Sequence, residues 1–436
     1  MVAPRPRFKR LFIREIFGPG SHDVDIEFNL DARVTVLHGR NGSGKTIALR
    51  LLEALREGEY ANLFLTPWRE LKVALTDGSS VQFFPKHDSD VSAGVAFTLC
   101  SSDGLEQPSR LVPHSSVSED AEQKMRKKGI ENVAFGVYWR DQQEGRVEPL
   151  ADLLRRRPEL WDLVGVLRDP YRATPELELW RGSLPKVKLI RTERLNADDY
   201  DDDEASELAV DHLSERVKHL VTDADREYRK VSVALDSSLG RRLMEQNWPE
   251  PDEVAFWEKY RDVSEQEQRL RKLGLLPGTE SMLSGGEVTT SVLPMLAAIL
   301  DDRAKKLEPF KSLVDKVERL LMSFNDKLNP KRVLLDVEKG YRVLSASGTE
   351  LTLEQLSSGE QHELVLLHEL LFEVEPGTLI LIDEPELSLH VTWQEAMLPE
   401  LMEIARLSEL DFLLATHSPF IIGEHTELMV KIGPPA

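Results

Sequence analysis

Eight consecutive residues, Gly39-Arg40-Asn41-Gly42-Ser43-Gly44-Lys45-Thr46, constrain this chain more than any other stretch. They read G-x-x-x-x-G-K-T, a loop built to wrap phosphate oxygens. Glycines let the backbone approach closely and aim its N–H groups at an anion. Before the loop stands a short apolar run, Val34-Thr35-Val36-Leu37-His38, which reads as a buried strand. After it, Thr46 to about Leu55 has the spacing of an amphipathic helix, whose positive N-terminal end adds to the pull on phosphate. Lys45 supplies a point charge to the β- and γ-phosphates, and the Thr46 hydroxyl suits the coordination shell of Mg²⁺. Strand, loop and helix together point to a nucleoside triphosphate, ATP or GTP, as ligand.

A second half of such a site lies far downstream. Thr378 to Ile382 is another β-branched and aliphatic run, preceded by Pro376-Gly377 and followed at once by Asp383 and Glu384. Open α/β sheets place their ligands at the carboxyl ends of strands, where these two acids fall. Asp383 is suited to hold Mg²⁺, usually through water, and Glu384 to polarise an attacking water. Either acid alone would equally suit the start of a solvated loop; the phosphate loop upstream is what favours the catalytic reading.

Leu356-Ser357-Ser358-Gly359-Glu360-Gln361 resembles the signature motif of ABC-type ATPases, usually L-S-G-G-Q, with Ser358 replacing a glycine and Glu360 the glutamine. The resemblance implies that Ser357, Ser358, Gly359 and Glu360 complete the ATP site of a neighbouring subunit, so that the chain works as a homo-oligomer, at least a dimer with composite sites. Between Glu360 and Asp383 there is room for a four-turn helix, a Pro-Gly turn and a strand. His417, in Ala415-Thr416-His417-Ser418-Pro419, looks like the switch histidine of the same class, which contacts the γ-phosphate; the bland alternative is a structural histidine. Asp383-Glu384-Pro385-Glu386 with Leu389-His390 departs from the transporter form and resembles the SMC, RecF and OLD-like soluble ATPases. The implied fold is α/β: an ABC/SMC-like P-loop ATPase head with an N-terminal antiparallel β portion and a helical, short coiled-coil insertion.

At 436 residues and 49.5 kDa the chain can bury one elaborated domain or two, and its 41% hydrophobic and 30% charged residues are ordinary for a globular protein. No apolar run approaches the ~18 residues of a membrane span. The basic N-terminus, with Arg5, Arg7, Lys9 and Arg10, lacks the apolar stretch of a signal peptide. One cysteine, Cys100, excludes an internal disulfide. A cytoplasmic protein is expected. The net charge of −21 argues against extended nucleic-acid binding, while a local basic groove or a basic partner protein stays open.

Phe8 to Ile16 and Val24 to Phe28 read as paired strands, followed by β-like runs at Lys72 to Leu75, Ser80 to Phe84 and Val95 to Leu99, with a hairpin signal at Asp77-Gly78. Ser101 to Lys128 is polar and reads as loop with a short helix, and Glu131 to Trp139 as one strand. The basic clusters Lys124 to Lys128 and Arg155-Arg156-Arg157 read as solvated surface. Lys186 to Leu195 is a strand running into a loop, where Glu193 is a candidate for the metal-touching position that related ATPases fill with glutamine. Asp198 to Glu204, six acids in seven residues, reads as a solvated linker. Long helices are expected over Glu204 to Gln246, Asp252 to Leu273 and Glu287 to Leu328. Leu283-Ser284-Gly285-Gly286-Glu287 imitates the signature motif but is followed too soon by Asp301-Asp302 for a helix, turn and strand between, so Ser284 reads as a helix cap. Val333 to Val337 and Tyr341 to Leu344 return to β character. The expected organisation is an N-terminal ATPase lobe over 1–195, a helical insertion over 196–330, and a C-terminal ATPase lobe over 331–436.

The run Glu227-Tyr228 through Ala234-Leu235-Asp236, the signature stretch and Asp383 to Trp393 together resemble bacterial AAA/ABC-type ATPases of anti-phage defence operons. The likeness is to the sensor ATPases of PARIS-type systems, with Septu and retron-linked ATPases as relatives. It implies an ATP-loaded, Mg²⁺-dependent oligomer that holds and then releases a toxic protein effector encoded nearby, with a phage protein as trigger. Fewer than twenty residues follow His417, so no appended nuclease of the OLD type is expected. Two alternatives remain at this level: a RecF- or SMC-like DNA repair ATPase, which needs a positive surface, and an ABC transporter ATPase subunit, disfavoured by the Glu-Pro-Glu form.

Overall fold

The computed structural model describes residues 5–63, 67–84, 95–113, 119–134, 138–142, 145–149, 153, 156–157, 160, 171–172, 174–191, 203–244, 252–276, 289, 292–387 and 391–434. The chain forms two compact units, one of Met1–Thr192 with Glu375–Ala436 and the other of Glu193–Val374.

The first unit holds a five-stranded, all-parallel sheet in the order Val187–Arg191, Leu379–Asp383, Asp411–Thr416, Val34–His38, Met429–Lys431. Its three middle strands are buried almost end to end, as the unbroken apolar runs of the sequence require of a sheet covered on both faces. Seven strands form a second sheet, in the order Tyr171–Arg172, Glu106–Pro113, Val95–Cys100, Ser80–Phe84, Glu70–Leu75, Phe8–Arg14, Val24–Glu27, antiparallel throughout. Helix Lys45–Glu57 buries Ala48, Leu49, Leu52 and Leu55 in a core shared with Leu11, Ile13 and Val24 of the antiparallel sheet and Leu381 and Leu413 of the parallel one.

The second unit is built on helices Asp203–Met244, Glu253–Lys272 and Leu293–Leu328. They share a core of Val221, Phe256, Val263, Leu270, Leu307, Phe310 and Val317, overlaid by ion pairs such as Arg269 with Glu318 and Arg303 with Glu267. A small sheet, Arg332–Asp336, Gly340–Leu344 and Glu350–Leu351, lies in the same unit, as does helix Ser358–His368.

The α/β class, the N-terminal antiparallel portion and the helical insertion match expectation; several local readings do not. The stretch 101–128 contains a strand, Glu106–Pro113, besides helix Glu119–Lys127. Glu106, Gln107 and Pro108 are exposed, so this strand lacks an apolar alternation and is held by backbone pairing to Val95–Cys100. The single strand expected over 131–139 is two, Ile130–Ala134 and Tyr138–Asp141, paired antiparallel. The third long helix begins at Leu293, with a proline in its first turn where a missing N–H costs nothing, and not at Glu287. Arg156 and Arg157 are not simply solvated: both guanidinium groups reach the buried Asp141 carboxylate, at 3.6 and 3.0 Å. Residues 331–374 group with the long helices, and Gly340 packs so closely on helix Asp203–Met244 that a Cβ there would stand 2.6 Å from the Ser214 carbonyl. Glu193 and the Leu283-to-Glu287 string, with Ser284, lie outside the described residues, as do Asp198 to Asp202 and Leu389-His390.

Candidate functional site

Parallel register assembles the site. His38 pairs with Thr416, and Asp383 with Ala415, so the carboxyl ends of three neighbouring strands lie level. Each strand delivers one element there: the loop Gly39 to Lys45, the pair Asp383-Glu384, and His417.

The loop is shaped by its glycines. Gly42 and Gly44 sit at φ 78° and 96°, in the left-handed region that side chains disfavour. At Gly39 a Cβ would stand 2.3 Å from the Ile432 carbonyl oxygen, so only glycine fits the gap. A turn bond from Ser43 N to Arg40 O closes the loop. Lys45 is buried and folds back, donating from Nζ to the Gly39 carbonyl at 2.9 Å and the Arg40 carbonyl at 3.4 Å. Helix Lys45–Glu57 carries no acid in its first turn, which leaves its positive end unopposed. His22, unremarked in the sequence, braces the loop from below through Nε2 to the Ser43 carbonyl at 3.0 Å.

Thr46 donates from Oγ1 to Asp383 Oδ1 at 3.1 Å. Burial, first, and the charge of Glu384 raise the Asp383 carboxyl above its ordinary range, against the Thr46 bond and the charges of Arg50 and Lys45. A desolvated carboxylate beside a second acid and a hydroxyl suits Mg²⁺ carried by a triphosphate. Glu384 has a non-glycine φ of 46° and is anchored by its N–H to the Ala415 carbonyl at 2.8 Å. Strained backbone of this kind persists where the surroundings over-determine it, commonly at functional positions.

His417 is half exposed, but its Nδ1 lies 2.8 Å from Glu386 Oε1, whose side chain is 6% exposed. The sequence singled out Glu386 only as a departure from the transporter form. No spacing rule pointed to its contact, which depends on the turn Pro385–Leu387 curling towards the end of strand Asp411–Thr416.

The signature stretch lies in the other unit, so the structure does not bring Ser357 to Glu360 together with the loop, Asp383, Glu384 and His417 in one compact body. Ser357 caps helix Ser358–His368, and Glu360 completes a reciprocal capping box by accepting from Ser357 N at 2.7 Å. Burial disfavours the Glu360 charge, yet Lys331 at 2.8 Å and the Ser357 N–H hold its carboxyl below the ordinary range. Gln361 ties down the preceding turn through Nε2 to the Leu353, Glu354 and Leu356 carbonyls. The capping box would accept glutamate or glutamine here; what glutamate adds is the ion pair with Lys331. Ser357 and Gly359 are exposed, and nothing stands within 4 Å of a Cβ at Gly359.

Among the described residues no helix is long and apolar enough to cross a membrane. A family model described as "AAA domain, putative AbiEii toxin, Type IV TA system" matches residues 204–423, just over half of the chain, which takes in the signature stretch, the acid pair and His417 but not the phosphate loop. No curated protein is significantly similar. Among solved structures, an SMC head bound to the C-terminal winged-helix domain of ScpA is 12% identical, with 99% of this chain and 95% of that one covered and a TM-score of 0.33. The SMC head domain from Thermotoga maritima is also 12% identical, with 98% and 94% covered and the same TM-score of 0.33.

Proposed function

We propose, from the premise that this chain belongs to the AAA-domain family described as putative AbiEii toxin, Type IV TA system, that it is an ATP-binding and hydrolysing switch of bacterial anti-phage defence. The observation that carries the nucleotide half of this reading is the Thr46–Asp383 hydrogen bond, which joins the phosphate loop to the acid pair at one end of the parallel sheet. The loop N–H groups and the helix end receive the phosphates, and Lys45 turns from its loop carbonyls to the β- and γ-oxygens. Thr46 and Asp383 hold the metal. Magnesium, when bound, neutralises charge on the β- and γ-phosphates. Glu384 orients a water for attack on the γ-phosphorus, and His417 contacts the γ-phosphate oxygens. Ser357, Ser358, Gly359 and Glu360 of a second copy close the site, so turnover requires at least a dimer.

The family description names a putative toxin of a Type IV toxin–antitoxin system, which supports a place in such a system and does not by itself assign the controller's part. In this reading the chain is the controller: it resides in the cytoplasm and holds a protein effector encoded beside it until a phage protein triggers release. The test combines two measurements. Purified protein is expected to hydrolyse ATP slowly while leaving DNA, RNA and tRNA intact, and toxicity in cells is expected to need both the neighbouring gene and an intact Lys45. Metal-dependent nucleic-acid cleavage by this chain alone, lost with Asp383 but independent of ATP, would make it the toxin itself and overturn the switch.

A further inference from the structure

The turn between the first two strands touches the phosphate loop at two points. A Cβ on Gly44 would stand 2.7 Å from Ile16 Cδ1, and His22 Nε2 is hydrogen-bonded to the Ser43 carbonyl at 3.0 Å. A carbonyl oxygen can only accept, so the imidazole donates. Both contacts flank one peptide group, the bond between Ser43 and Gly44. A trans peptide is planar and points its C=O and its N–H in opposite directions. Holding the Ser43 carbonyl on His22 therefore aims the Gly44 N–H the other way, into the hollow of the loop. We propose that His22 is a positioning residue for phosphate binding: by fixing the Ser43–Gly44 peptide plane, it presents the Gly44 N–H to the phosphate oxygens.

The turn is firm enough to serve as a footing. Ile16 N–H donates to the His22 carbonyl at 3.0 Å, Glu15 N–H to Asp23 Oδ1 at 2.8 Å and Ser21 N–H to the Gly18 carbonyl at 3.1 Å, while the Ser21 hydroxyl donates to the Ile16 carbonyl. Ile16 is fully buried, and the Phe17 and His22 rings lie 6.1 Å apart, centroid to centroid. Strand Val24–Glu27 begins two residues after His22 and is laddered to Phe8–Arg14. Gly44, by contrast, needs outside support. A glycine at φ 96° has no side chain to hold its peptide plane, and its backbone has more freedom to rotate than any other residue's. A flipped Ser43–Gly44 peptide would turn a carbonyl oxygen towards the phosphates, repelling them where an N–H attracts. The imidazole N–H opposes that flip.

This role rests on the ATP-binding part of the proposed function and not on hydrolysis or defence. Wild type, His22→Phe and His22→Gln should be titrated calorimetrically with ATP and Mg²⁺, and with inorganic tripolyphosphate, which has no base to recognise. His22→Phe keeps a ring beside Phe17 but loses the donor. Its affinity for both ligands should fall about 10-fold, the scale of one hydrogen bond to a charged group. His22→Gln, whose amide nitrogen can reach the same carbonyl, should recover most of the loss. In turnover His22→Phe should raise KM and leave kcat within about two-fold, because the contact serves substrate and transition state alike. In ¹⁵N-labelled wild type, tripolyphosphate should move the Gly44 amide proton downfield, a readout that needs no variant. Wild-type affinity in His22→Phe, an equal loss in His22→Gln, or an unmoved Gly44 amide would overturn the role of His22 and leave ATP binding standing. Failure of the wild type to bind either ligand would overturn both. Binding without turnover would remove the hydrolase reading and leave this one in place.

Discussion

Thr46 and Asp383 are hydrogen-bonded at 3.1 Å although 337 residues separate them. The contact exists because strand Val34–His38 and strand Leu379–Asp383 flank the same neighbour, Asp411–Thr416, in parallel register.

Two glycines of the loop should differ in what they tolerate. Gly44→Ala meets both a disfavoured φ of 96° and the Ile16 Cδ1 atom at 2.7 Å, whereas Gly42→Ala meets only a φ of 78° in open space. Left-handed strain costs about 1 to 3 kcal/mol in either case. Chemical denaturation should therefore show Gly44→Ala as the less stable of the two, with weaker nucleotide binding as well. Equal losses at both positions would mean that the packing on Ile16 is not what shapes the loop.

Acid should weaken the second unit through His368. Its Nδ1 receives the Tyr341 hydroxyl at 2.9 Å, and burial raises that phenol well above its usual range, so the phenol is the donor. Burial, the largest influence, pushes His368 down to about 4, with Glu373 pulling upward and Arg216 downward. Its Nε2, 3.4 Å from Glu373 Oε1, is too poorly aligned to count as a hydrogen bond. A base depressed on folding is protonated first in the unfolded chain. Its contribution to stability is thus complete above the free value of about 6.5 and is lost as pH falls towards 4, by at most about 1.4 kcal/mol per pH unit. Tm measured from pH 7 to 4 should fall less steeply in His368→Gln than in wild type. Parallel curves would remove His368 from the acid response.

The composite-site idea is tested at Ser357. Ser357→Arg should keep ATP binding to a single chain but abolish hydrolysis, because a bulky cation blocks docking on a neighbour's nucleotide. Since Ser357 also caps its helix, Ser357→Ala serves as the control, costing about 1 kcal/mol of stability without the obstruction. Mixing the arginine variant with Lys45→Ala chains should restore at most one of two sites per dimer. Full activity of Ser357→Arg alone would rule out the composite site.

Much of this was legible because the informative residues are local. Gly39 to Thr46 and Asp383-Glu384 each follow a strand directly, and a strand that leads into a turn needs no tertiary knowledge to be read. What escaped depends on partners distant in sequence. Glu386 is recognisable only once the 416–418 turn lies against it, and Arg157 only once Asp141 is buried beside it. Strand Glu106–Pro113 was hidden for a different reason: its polar, proline-containing sequence carries no alternation, and its order comes from the backbone ladder to Val95–Cys100. The close packing of Gly340 on Ser214, within the unit that holds the long helices, is likewise not encoded in composition.

The central claim is that the strand-end acids divide the work of ATP hydrolysis, and Glu384 tests it most directly. Its φ of 46° and its anchor to the Ala415 carbonyl fix where the carboxylate begins, while Asp383 is occupied with Thr46. Steady-state phosphate release should be measured for wild type and Glu384→Gln beside equilibrium binding of ATP with Mg²⁺. The account predicts ATP affinity close to wild type and turnover lower by about 100-fold or more, since the amide keeps the shape but cannot orient and deprotonate water. Turnover within a few-fold of wild type, with binding intact, would contradict it.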